Sequence, residues 1–94
     1  MELINREKVA AIVGPPMSSL AIPVAGVANE ALVPMITQMS THPGVTKESR
    51  CVYRVCFTDR FQGEVMAKFT RGALGVRRAA VLFDEANAYS AGLA

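Results

Sequence analysis

Val9–Val13 (VAAIV) is five apolar residues without a polar break, and Gly14-Pro15-Pro16 stops it. A strand with one wet face alternates apolar and polar residues. An unbroken run needs apolar cover on both faces, as in a parallel sheet flanked by helices. Pro34–Thr37 (PMIT) and Arg78–Phe83 (RAAVLF) read as further strands, with Pro34 at a first position where a sheet tolerates proline. Val52–Phe57 (VYRVCF) alternates, which suits an edge. Longer stretches lie between these runs. Ser18 and Ser19 are N-cap residue types opening a helix to about Leu32. Asp59 and Gln62 have capping-box spacing, and Phe61, Val65, Met66, Phe69, Ala73 and Leu74 follow on one helical face as far as Gly75. Met1–Lys8 reads as the end of one helix and Asn87–Ala94 as the start of another. This order predicts an α/β fold: a parallel-sheet, three-layer, Rossmann- or flavodoxin-like half that is itself incomplete.

Composition narrows the function. The chain is 51% hydrophobic and 19% charged, which calls for a packed interior. Ten basic against eight acidic residues leave a net charge of +2, too even to argue for a nucleic-acid partner. No apolar run is long enough to span a bilayer. Glu2, Arg6, Glu7 and Lys8 interrupt the N-terminus where a signal peptide would need its apolar region, so none is expected in this chain. Cys51 and Cys56 would lie roughly 16 Å apart along a strand, beyond disulfide reach. With no CxxC and no Cys/His cluster, no metal or other cofactor is expected.

Parallel sheets bind ligands beyond the carboxyl ends of their strands. The segments there are Met17-Ser18-Ser19, Gln38–Pro43 and Asp84–Tyr89, which should converge on one edge. Ser18 and Ser19, with the free amides of a helix N-terminus, suit a small carboxylate; the plain alternative is a helix cap. Thr41, in the loop Gln38–Arg50, offers a hydroxyl and nearby carbonyls to an ammonium group, or simply stabilises the turn beside Pro43. His42, the sole histidine, reads as a surface loop residue, and Asp84 and Glu85 as solvated loop acids or a helix cap. Tyr89 either walls a pocket or covers the edge of the core. The GPPMSS turn has neither the lysine of a P-loop nor the spacing of a nucleophile elbow.

The blocks VAAIVGPPMSS, VANEALVPMITQMSTHPGVT, YRVCFTDRFQGEVMAKF and RRAAVLFDEANAYSAGLA, in this order, resemble the type I periplasmic solute-binding proteins of branched-chain amino acid ABC transporters. The resemblance covers essentially the whole chain. It implies two α/β lobes joined by three crossovers, with an amino acid clamped between them and no catalysis. The first crossover would fall at Thr58-Asp59, placing residues 1–58 in the first lobe and 59–94 at the start of the second. By position, Ser18 would hold the ligand carboxylate with Ser19 beside it, and Thr41 would contact both carboxylate and ammonium. The Met39 carbonyl would accept from the ammonium, Ser40 would stand between them, and Tyr89 would sit at the mouth of the second lobe. The family's acidic ammonium partner would lie downstream. Pro16 and Met17, the stretch Gln38-Met39-Ser40, and Ser90 depart from the usual family residues, which bears on the exact ligand.

The implied whole is a periplasmic or extracytoplasmic protein that delivers an amino acid to an ABC permease. One alternative is a ligand-sensing domain of the same fold, such as an amide sensor or a receptor ectodomain. Another is an enzyme with a similar sheet, which would need a better phosphate loop than GPPMSS. A sheet lacking its neighbours has open edges, so the isolated chain is expected to form a homo-oligomer.

Overall fold

The computed structural model describes all 94 residues. The elements in chain order are α1 (Glu2–Asn5), β1 (Ile12–Val13), α2 (Ser18–Glu30), β2 (Met35–Thr37), a 3-10 turn over Pro43–Val45, β3 (Val52–Arg54), α3 (Asp59–Gly72) and α4 (Ala88–Leu93). The strands form one parallel sheet in the order β1-β2-β3. Ile12 pairs with Met35, and Met35 with Val52.

The core explains that arrangement. Ala21, Ala25 and Ala28 recur on one face of α2, and their small side chains let the helix lie close to the sheet. They close over Met35, Val52 and Val45, with Ile12, Ile22 and Val24 at the margin. Met35 is fully buried, worth about 1.5–3 kcal/mol relative to an exposed side chain.

α2 ends in a Schellman motif. The Val33 N–H donates to the Ala28 carbonyl at 2.9 Å and the Leu32 N–H to the Asn29 carbonyl at 3.3 Å. Leu32 holds the left-handed position, with φ of 55°.

Several elements differ from the expected ones. β1 covers only the end of Val9–Val13, because Lys8 turns the chain with φ of 52° and the Val9 N–H donates back to Leu3. β3 stops at Arg54 rather than Phe57. The N-cap of α2 is Met17, which keeps extended backbone angles, so Ser18 and Ser19 fall inside the first turn. The cap of α3 is Thr58, whose hydroxyl accepts from the Phe61 N–H at 3.3 Å; Asp59 is the first helical residue. Gly75, with φ of 65°, lets the chain leave α3 as the Val76 N–H returns to the Thr70 carbonyl.

Arg78–Phe83 carries no regular secondary structure and joins no ladder, because no neighbouring strand of this chain reaches it. It runs beside α3 along an apolar groove of about 680 Å³, and Leu82 is wholly exposed. The apolar face of α3 is likewise uncovered: Phe61, Met66 and Phe69 are each more than half exposed. The radius of gyration, 16.2 Å, exceeds the roughly 12 Å of a compact chain this long. No helix is long and apolar enough to cross a membrane.

Candidate functional site

A cleft of about 770 Å³ opens beyond the carboxyl ends of the strands. Its walls come from four segments. Pro16, Met17, Ser18 and Ser19 follow β1, and Gln38, Met39 and Thr41 follow β2. Cys56 and Phe57 follow β3, with Gln62 in the next helical turn, while Asn87 and Tyr89 arrive from the start of α4. Of the candidate ligand residues, Ser18, Ser19, Met39, Thr41 and Tyr89 therefore share one cleft.

Ser40 does not line it. It is fully buried, and its hydroxyl lies 2.9 Å from the Pro15 carbonyl and 3.0 Å from that of Pro16. Its N–H donates to the Thr37 hydroxyl, which itself donates to the Pro15 carbonyl at 2.8 Å. Ser40 thus ties the two loops of the cleft together from behind.

The polar groups on the cleft side are mostly donors. Ser18 is 3% exposed; its hydroxyl oxygen accepts from the His42 N–H at 3.3 Å, which leaves its own proton free to donate. The N–H groups of Ser18 and Ser19 open the thirteen-residue α2, carry its positive dipole end and take no intrachain backbone partner. The Thr41 N–H has none either. Thr41 is 7% exposed, and its hydroxyl has no hydrogen-bond partner. A buried hydroxyl without a partner costs about 1–3 kcal/mol, and the hydroxyl of Thr41 makes no turn-stabilising hydrogen bond.

His42 is half-buried rather than a surface loop residue. Its Nδ1 accepts from the Gly44 N–H at 3.0 Å, which caps the 3-10 turn and leaves the ring proton on Nε2. Asp84 caps its own loop by accepting from the Ala86 N–H.

Cys56, Phe57, Gln62 and Asn87 are not among the ligand residues expected from the sequence, although Asn87 lies in the strand-end segment Asp84–Tyr89. Cys56 and Phe57 follow a strand, so the rule that located the other segments also applies to them. Asn87 caps α4, accepting from the Tyr89 and Ser90 N–H groups. No three His, Cys, Asp or Glu side chains cluster as metal ligands would.

The family model for the receptor family ligand binding region matches residues 1–94. The chain belongs to this family. Within the receptor family ligand binding region, the chain is similar to an amino acid binding protein of Pseudomonas aeruginosa, 36% identical over 93 residues. It is also similar to a Leu/Ile/Val-binding protein of Rhizobium johnstonii, 40% identical over 84 residues. These alignments take in 98% and 88% of this chain but 25% and 23% of the relatives. The crystal structure of the leucine binding protein LivK from Thermotoga maritima superposes with a TM-score of 0.95 at 44% identity, over 98% of this chain and 26% of that one. The parallel sheet and its helices thus have the arrangement of a leucine binding protein, and the chain spans about a quarter of the length of these family members.

Proposed function

We propose that this chain forms the carboxylate-gripping side of an amino-acid cleft in a two-lobed, extracytoplasmic solute-binding protein that serves an ABC transporter. The observation that carries the reading is the unpartnered Thr41 hydroxyl, buried in the same cleft as the free N–H groups of Ser18, Ser19 and Thr41. Converging donors at a positive helix end suit a carboxylate, and the hydroxyl oxygen keeps lone pairs for an ammonium. Met39 lends a wall and its carbonyl, and Tyr89 covers the mouth from the far side. The relatives' names, which specify amino acids and Leu/Ile/Val, support a branched-chain ligand. Binding and release, without bond making, is the chemistry these groups serve.

Thr58-Asp59 is then the first crossover, with residues 1–58 in one lobe and 59–94 opening the second. Two facts support that division: the sheet ends at Arg54, and α3 gives the core cluster no apolar side chain. A ligand-sensing domain would use the same cleft, and the family description covers receptors; binding to an ABC permease separates the two.

The test is calorimetric titration of the two-lobed protein with leucine, isoleucine and valine, with a nucleotide as control. Saturable binding of an amino acid and none of the nucleotide is expected. No heat from any amino acid up to millimolar concentration would overturn the reading.

A further inference from the structure

We propose that Arg54 is a positioning residue of the cleft, holding Thr41 in its ligand-facing orientation; this rests on reading the cleft as an amino-acid site. Arg54 is the last residue of β3 and is half-buried. Its Nη1 donates to the Ser40 carbonyl at 3.3 Å and to the His42 carbonyl at 2.9 Å, and its Nη2 to the Thr46 hydroxyl at 2.9 Å. The two carbonyls are those on either side of Thr41. The carbonyl of Thr41 itself accepts the Asp59 N–H at 3.0 Å.

Three successive carbonyls are thereby taken up by Arg54 and Asp59, neither of which lines the cleft. The Ser40 N–H is taken by Thr37 and the His42 N–H by Ser18. Among the backbone groups and hydroxyls of residues 40–42, what remains free is the N–H and the hydroxyl of Thr41, the two groups that a ligand would use. No carboxylate lies within ion-pair distance of Arg54, so its charge is spent on these neutral oxygens. A planar guanidinium can serve three acceptors spread in this way; a lysine ammonium on a flexible stem cannot hold the same fork.

The experiment combines Arg54→Lys, Thr41→Ala and the double variant in the two-lobed protein, with leucine titration and amide NMR. Arg54→Lys should weaken leucine binding about tenfold to a hundredfold, as expected when charge-assisted hydrogen bonds are lost. In the Thr41→Ala background the same change should cost no more than about twofold, because residues acting through one group are not additive. Without ligand, the Thr41 and His42 amide resonances should shift in Arg54→Lys while those of Ala25 and Ala28 stay in place, which also shows that the variant folds. Thr46→Val, which removes only the contact furthest from Thr41, should stay within about twofold of the parent affinity. Equal losses in both backgrounds, or unmoved Thr41 and His42 amides, would overturn the proposal. Should the parent protein bind no amino acid, the functional reading fails, and the ligand-free amide shifts still decide whether Arg54 sets Thr41.

Discussion

The backbone N–H of Asp59 donates to the carbonyl of Thr41 at 3.0 Å. The first residue of α3 is therefore bonded to the loop that follows β2, across the boundary at which a second lobe would begin. Asp59 is fully buried, and neither carboxylate oxygen has a partner. This junction stands next to the cleft, so substitutions on either side of it separate ligand contacts from scaffold.

Ser18→Ala and Thr41→Ala in the two-lobed protein should each weaken amino-acid binding by about 10- to 150-fold, the effect of losing hydrogen bonds to a charged group worth about 1.5–3 kcal/mol. Calorimetry measures it. Ser40→Ala should act differently: it leaves the Pro16 carbonyl unpaired and lowers the denaturant midpoint by the equivalent of about 1–3 kcal/mol.

Gly92→Ala should destabilise the protein by about 1–3 kcal/mol, the usual cost of overpacking. A Cβ there would lie 2.7 Å from Cδ2 of His42 and 2.8 Å from Oδ2 of Asp59, and the imidazole is held by Gly44. Gly26→Ala, on α2 with nothing within 4 Å of the added carbon, should instead stabilise by about 0.5–1 kcal/mol. Paired urea melts decide whether the two glycines differ in sign.

Leu32→Gly should raise stability by about 0.5–1 kcal/mol. A leucine at positive φ carries a steric cost of roughly 1–2 kcal/mol that glycine lacks, partly offset by the freedom glycine regains on unfolding. Leu32 is 65% exposed, so little packing is lost. An unchanged or lower denaturant midpoint would count against the Schellman account of this turn.

The 94-residue chain alone should self-associate and bind leucine weakly or not at all. The outer edge of β1, the uncovered face of α3 and the groove beside residues 76–83 all offer surface to a second copy. Light scattering should give about twice the 10.1 kDa chain mass or more, and an NMR titration should show no saturation at micromolar leucine. A mass that stays at one chain across concentrations, or micromolar binding by the monomer, would contradict this.

The apolar runs and the helical spacing of Phe61, Val65, Met66 and Phe69 were legible because they record which face each element buries. Their extent was not. Arg78–Phe83 has the composition of a strand but needs a neighbour to become one, and pairing is a property of the whole sheet. Ser18 looked like a cap because N-cap preference is a matter of residue type, whereas the helix begins one residue earlier than that reading requires, with Met17 as its cap. Ser18 and Thr41 stood out as possible ligand groups because hydroxyls and strand ends are visible in a sequence. Arg54 did not, because its main partners are backbone carbonyls, which every residue carries.

The hydroxyls of Thr37 and Ser40 both reach the Pro15 carbonyl, binding the turn before α2 to the loop after β2. These two walls of the cleft are ordered when the sheet folds, before any ligand arrives. A ligand docking there gives up its own freedom but need not freeze this part of the wall, which is how a small molecule with few contacts can still be held tightly. If a second lobe closes from the opposite side, the remaining ordering cost falls on that surface, so substitutions that rigidify it should raise affinity more than substitutions in this already ordered wall.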